Sequence, residues 1–356
     1  MEAVGIAALY RGGLFAAAVQ PATYRWHPAR CFPWFLFPLQ VGRWTHFAYH
    51  MGILSQFTYY ASAHTMIWIL ANPTAGGGRA RRFAERSALR LQEAGRRVEL
   101  HYTHQKGHGA QIAAEAVAAE VPLLAVCGGD GTLAEVLPAL VGSSTALGIL
   151  PFGTANDLAR ALSIPRSLNG AVKTLIEGTA APIDLGRCGD RYFSTVAAFG
   201  FDAEVSAAMA AGQAPLPNTA GYILQALRHL RHYRPPETVL RGAFGRIDSP
   251  IFLAASGNTC CYGGGLRIAP QADPRDGLFD VCIAGPISKA QALSLLPQVF
   301  SGRHIRHPSV RVVRTDALEI EGEGGRLLFA DGEYCATTPL ILEVVPRALR
   351  VITPSF

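Results

Sequence analysis

The stretch CGGDGTLAEVL, Cys127 to Leu137, sets a single carboxylate inside a run of glycines. It follows the apolar run PLLAVC and precedes a helical pattern, so it reads as a strand-to-helix turn. Glycines at such a turn let backbone approach a neighbour closely. Their N–H groups, at the start of a helix, favour an anion. Asp130 then adds negative charge where a phosphate is expected, a conflict that a bridging Mg2+ would resolve. The other reading is a tight turn with Asp130 as an N-terminal cap. The stretch alone does not separate the two. It is not a P-loop, because no Lys-Ser/Thr pair follows the glycines, and it lacks the GxGxxG pattern.

Working outward, residues 66–181 alternate between strand and helix. MIWILAN reads as a buried strand and Arg79–Gly95 as an amphipathic helix closed by glycine. RRVELHYT, PLLAVC and ALGILPF read as further strands, with GHGAQIAAEAVAAE, LAEVLPALV and NDLARAL as helices. This pattern predicts a parallel α/β sheet, whose ligands bind beyond the carboxyl ends of the strands. Three polar, glycine-bearing loops fall on that rim: Asn72, Pro73 and Thr74 with Gly76–Gly78; Gly128, Gly129, Asp130, Gly131 and Thr132; and Gly153, Thr154, Ala155, Asn156 and Asp157. Together they would surround one nucleotide with backbone donors, hydroxyls and amides.

Near Pro182 the pattern changes to short strand-like pieces, including RYFSTVAAFGFDAEV, SPIFLAASGNT, GLFDVCIAG and RLLFADGEY. Helices are expected only around Gly221–Tyr233 and Ser288–Phe300. Residues 182–339 are therefore expected to form a mainly antiparallel β-sandwich domain. Residues 340–356 are expected to return toward the first domain.

The chain has 356 residues, 49% of them apolar, and a formal net charge of +6. Its length favours two domains. The charge suits anionic partners but lacks the dense basic blocks of a nucleic-acid binder, so no nucleic-acid partner is expected. Seven scattered cysteines without a CxxC pair point to thiols in a reducing compartment. A cytoplasmic protein, peripheral to a membrane if it meets one, is expected. Residues 1–65 are rich in aromatics and proline, with Glu2 their only acid. No run there approaches the roughly 18 apolar residues of a membrane span. They read as an extension: a surface anchor, a transit peptide, or sequence upstream of a true start at Met66.

NPTAGG, CGGDGTLAEV, LGILPFGTANDLAR, YGGGLRIAP with DPRDGLFDV, and FADGEY occur in that order from Met66 onward. In this set the chain resembles the diacylglycerol-kinase catalytic-domain family, which includes bacterial lipid kinases and sphingosine and ceramide kinases. The resemblance implies a nucleotide-binding α/β domain plus a β-sandwich, with ATP and Mg2+ in the cleft between them and a lipid hydroxyl as acceptor. It implies an ATP site of Asn72, Thr103, Gly128 through Thr132, and Thr154. It makes Glu333, in Asp331-Gly332-Glu333, the proton acceptor. It places a second metal at Asp276, with Asp273 and Leu278 contributing carbonyls, although DPRDGLFD also reads as an ordinary β-turn.

The chemistry is consistent with that assignment. Phosphoryl transfer needs an in-line acceptor oxygen and neutralised phosphate charge. Glu333 can take the proton of a hydroxyl within hydrogen-bond reach, while Asp130 would hold Mg2+ against the phosphates. Lys106 and Arg267 are candidate phosphate partners. The helix within Tyr222–Pro236 carries Arg228, Arg231 and Arg234 beside apolar positions. That face suits either solvent or an anionic membrane surface. The rival readings are an NAD kinase, which also uses GGDGT, and a lipid-binding protein of the same fold without catalysis.

Overall fold

The computed structural model describes residues 65–213 and 218–355. Apart from Thr65, the expectations for residues 1–65 lie outside the described residues.

The first lobe runs β1 (Met66–Ala71), α1 (Ala80–Glu93), β2 (Arg97–Tyr102), α2 (His108–Ala118), β3 (Leu123–Gly128), α3 (Asp130–Leu140), β4 (Ala146–Pro151), α4 (Asp157–Ala161) and α5 (Leu168–Glu177). The strands are parallel in the order β2-β1-β3-β4. Central strands β3 and β4 are buried at every position, as expected of strands with helices on both faces. Strand β2, at the edge, is the polar and half-exposed one. In α1 the buried positions are Ala80, Ala84, Ser87, Ala88 and Leu91, a single helical stripe. That stripe packs with Ile67, Ile69 and Leu175 on one face of the sheet. Leu124, Val126, Val136 and Leu137 fill the other face.

The second lobe continues with β5 (Thr179–Cys188), β6 (Arg191–Phe193), β7 (Val196–Gly200), α6 (Phe201–Ala210), α7 (Asn218–Leu230), β8 (Glu237–Gly242), β9 (Gly245–Pro250), β10 (Leu253–Gly257), β11 (Phe279–Ala284) and α8 (Lys289–Ser301). It ends with β12 (Val310–Thr315), β13 (Ala317–Gly322), β14 (Leu327–Ala330), β15 (Glu333–Thr337) and β16 (Leu340–Thr353). One antiparallel sheet has the order β12-β11-β10-β7-β14-β15. Phe199, Phe279 and Leu328 from this sheet pack with Leu240, Leu318 and Leu342 from β8, β13 and β16, forming the core of the sandwich. Leu230 and Tyr233, at and just after the end of α7, and Leu295 of α8 pack on the outer side with Phe252.

The stretch AAFGFDAEV differs from its expected strand character. Strand β7 stops at Gly200, and α6 begins at Phe201. The residues that follow are rich in alanine and bury Asp202, Ala203, Val205 and Ala208, a helical spacing that short-range alternation disguised.

Strand β16 serves both lobes. It pairs with β13 through Ala317–Glu343, with β4 through Val351–Leu147, and along its length with β5. Its register slips between Val345 and Leu349. There the buried Asp184 accepts the Arg347 N–H at 2.7 Å and, through its other oxygen, the Gly277 N–H at 2.8 Å. Asp184→Ala would leave both donors without acceptors. Such a loss costs on the order of 3 kcal/mol. Urea denaturation should therefore show a lower midpoint with an unchanged slope.

Candidate active site

Helix α3 begins at Asp130 itself, three residues earlier than the sequence suggested. The Asp130 carboxylate turns away from its own helix and receives the backbone of the next loop. Oδ2 accepts the Asn156 N–H and Oδ1 the Asp157 N–H, both at 2.8 Å. The acid thus caps α4 rather than α3. The glycines around it serve the same contact: a Cβ on Gly153 would lie 2.3 Å from the Gly129 Cα, so the two loops meet backbone to backbone. Asn156 closes its own loop, accepting the Gly153 N–H at 2.7 Å and donating to the Gly153 carbonyl at 2.8 Å.

The same helix secures a second loop. Glu135 accepts the Gly107 and Gly109 N–H groups, each at 3.2 Å, and so fixes the turn that carries Lys106. In the first loop Asn72 Oδ1 accepts both the N–H and the hydroxyl of Thr74.

The second lobe contributes a hairpin. Ala330 pairs with Glu333, which leaves Asp331-Gly332 as a two-residue turn with φ of 50° and 81°. Positive φ at both positions is what a type I′ Asp-Gly turn requires. Asp331 folds back to accept the N–H and hydroxyl groups of both Ser194 and Thr195. Glu333 is thereby held facing the first lobe, where its carboxylate pairs with Lys106 Nζ at 3.2 Å. The lobes also meet below, where Asp157 Oδ2 accepts the Gly264 N–H of YGGGL at 2.9 Å.

These elements enclose a cleft of about 750 Å³. Asn72, Gly129, Gly131, Thr132, Gly153 and Thr154 line it from the first lobe, and Asp331 and Glu333 from the second. Pro73, Thr74, Thr103, Gly128, Asp130 and Asn156 lie outside this lining. Asp130 and Asn156 act in the scaffold through the bonds above. The Thr103 N–H donates to Ala71 at the base of its loop. Lys106 lines the cleft, and Arg267 does not; Arg191, which the sequence did not single out, does. Asp331 and Glu135 were not singled out as site residues, although Asp331 stands inside the DGE motif, and Asp157 was counted only as a member of its rim loop.

Burial, reinforced by Asp157 and Asp331, pushes the Asp130 carboxyl up to about 6. Burial likewise raises Asp157, whose Oδ1 is enclosed without a hydrogen bond, 3.6 Å from Arg160 Nε. Asp130, Asp157 and Asp331 thus gather negative charge beside the cleft, although both oxygens of Asp130 and of Asp331 already accept N–H or hydroxyl groups. Among the described residues, no three acidic side chains converge closely enough to enclose a bare ion. A Mg2+ ion at this place would therefore take most of its ligands from water and from substrate phosphates. The turn at Asp273, Asp276 and Leu278 is different. Asp276 Oδ1 accepts the Leu278 N–H at 3.0 Å and Oδ2 pairs with Arg314, so an arginine already neutralises the carboxylate that a metal would need.

Burial also raises Asp202 to about 6. With these acids raised from their ordinary value near 4, the folded chain keeps protons that the unfolded chain releases. Stability should therefore fall as pH rises from about 4 to about 6 and then level off. Asp130→Asn should flatten that decline, as read from urea midpoints across the range.

Residues 66–188 match the diacylglycerol kinase catalytic domain, and residues 195–353 match the YegS C-terminal NAD kinase beta sandwich-like domain. The chain is 35% identical over 293 residues to a protein of Mycobacterium tuberculosis (strain ATCC 25618 / H37Rv) named diacylglycerol kinase, covering 80% of this chain and 94% of that one. It is 36% identical over 280 residues to a Pseudomonas aeruginosa (strain PAO1) protein named "Probable lipid kinase YegS-like", covering 76% and 89%. The fold matches the crystal structure of a diacylglycerol kinase from Bacillus anthracis str. Sterne with a TM-score of 0.62 at 18% identity, covering 81% of this chain and 96% of that one. With both lobes matched in order, the chain belongs to the family of diacylglycerol kinases and YegS-like lipid kinases, and it is a kinase.

Proposed function

We propose that the protein transfers the γ-phosphoryl group of ATP to the hydroxyl of a diacylglycerol-like or sphingoid-like lipid. The observation that carries this reading is the shared cleft, in which the glycine loops of one lobe face Glu333 of the other. Gly129, Gly131, Thr132, Gly153 and Thr154 would receive the phosphates through backbone donors and hydroxyls. Mg2+ brought with the nucleotide would neutralise the phosphate charge, and the negative field of Asp130, Asp157 and Asp331 beside the cleft would favour it there. Lys106, which pairs with Glu333 at 3.2 Å, would exchange that partner for a phosphate oxygen. Glu333 is then free to accept the hydroxyl proton of the acceptor.

A second cavity supports a lipid acceptor. Its volume is about 100 Å³, and its walls include Phe201, Leu230, Phe252, Leu266, Leu296 and Val299. Leu227 and Leu293 also line it and are 42% and 47% exposed, so it reaches the surface between α7 and α8. A few methylenes of an acyl chain would fit there. Asp202, which accepts from Tyr222, gives the cavity a polar end. Among the described residues no helix is long and apolar enough to cross a membrane. Peripheral contact through Leu227, Leu293 and Phe300 would bring the substrate within reach.

Incubating the protein with radiolabelled ATP, Mg2+ and a total lipid extract should yield a labelled phospholipid, with NAD as the competing acceptor. Labelling of NAD alone would replace this reading with an NAD kinase. Glu333→Gln should fold normally and lose about 10²–10⁴-fold in transfer rate, the usual cost of removing a positioned acid or base. Unchanged turnover would remove Glu333 from the mechanism.

A further inference from the structure

We propose that the second lobe carries an additional binding pocket, separate from the cleft, that takes a phosphate group. The pocket lies between α6, α7 and the start of β14, and its volume is about 480 Å³. Glu204, Gln225, His229 and Arg326 form its walls, with Arg228 and Arg234 also lining it. None of these residues lines the cleft or the apolar cavity.

The pocket holds an excess of positive charge. Glu204 is its one carboxylate and is already shared between Arg326 at 3.3 Å and His229 at 2.8 Å. Among the described residues no carboxylate pairs with Arg228 or Arg234. Three guanidinium groups against one carboxylate leave a surplus for an anion to neutralise.

The pocket also contains donors with no acceptor. Gln225 is only 8% exposed, makes no side-chain hydrogen bond among the described residues, and lines the pocket. The Arg326 Nε is buried and has none either, while its Nη1 reaches Glu204. An enclosed donor left unmet costs about 1–3 kcal/mol, which applies to the Arg326 Nε, while the Gln225 amide opens onto the pocket and is free to donate there. A phosphate group supplies several acceptor oxygens and suits the planar fork of arginine. The space exceeds that of one such ion, so it can also admit the group to which the phosphate is attached. A phospholipid headgroup and a soluble phosphate share this chemistry.

The test uses the full chain with the cleft filled by Mg2+ and a non-hydrolysable ATP analogue, so that phosphate cannot act there. Thermal melting is followed against inorganic phosphate at constant ionic strength. Cosedimentation is followed with phosphatidylcholine vesicles with and without phosphatidic acid. The variants are Arg228→Gln/Arg234→Gln/Arg326→Gln and, with the Glu204–Arg326 pair kept, Gln225→Leu/Arg228→Gln/Arg234→Gln. The control is Arg231→Gln, an exposed charge just beyond α7 that does not line the pocket. Wild type should gain melting temperature with phosphate or bind the phosphatidic acid vesicles, and both variants should lose that response by about tenfold or more, as expected for charge-assisted hydrogen bonds. The arm that responds identifies the source. The proposal is overturned if neither probe separates wild type from the variants. It is also overturned if Arg231→Gln loses as much as they do, since a diffuse surface charge would then suffice. Because the readouts are melting and cosedimentation, a failure of Glu333 chemistry would not affect them.

Discussion

The cleft depends on one interaction, the grip of the Asp130 carboxylate on the Asn156 and Asp157 N–H groups. Two loops at the ends of adjacent parallel strands must lie side by side to present donors to one ligand. Backbone contact between Gly129 and Gly153 permits that approach, and the carboxylate holds it. Burying an acid for this purpose raises its proton affinity, and the neighbouring Asp157 and Asp331 raise it further. The ground beside the cleft is therefore one where further negative charge is unfavourable.

Helix α3 extends the same logic. Its first residue fixes the loop after β4, and Glu135, little more than one turn later, fixes the loop carrying Lys106. One helix thus sets the positions of both flanking loops relative to the glycine turn. The second lobe uses a comparable device at Asp331, which spends its carboxylate on Ser194 and Thr195 and leaves Glu333 free to face the cleft. In both lobes the acid nearest the glycines has both carboxylate oxygens committed to the backbone of a neighbouring segment.

The two lobes do not behave as independent pieces. Strand β16 pairs with strands of each, and Asp157 of the first lobe takes an N–H from the YGGGL loop of the second. The geometry between Glu333 and the glycine loops is therefore fixed by several contacts. The exposed Lys106–Glu333 pair adds little, since solvent screens exposed ion pairs.

By itself the sequence determined the layered architecture and the three glycine-bearing loops, because strand and helix periodicity and glycine punctuation are local properties. It also singled out Asp130, Glu333 and Lys106, since charged residues inside or beside motifs stand out from an apolar background. The role of Asp130 was decided only by tertiary structure, because its partners are amides 26 and 27 residues away. The same holds for Asp331, whose acceptors face donors more than 130 residues earlier, and for Asp276, which a distant Arg314 neutralises. Helix α6 escaped the sequence reading because its alanines match either periodicity until packing selects one. Local patterns fix what a segment can form, whereas the partner a side chain meets is set by contacts between segments that no local pattern encodes.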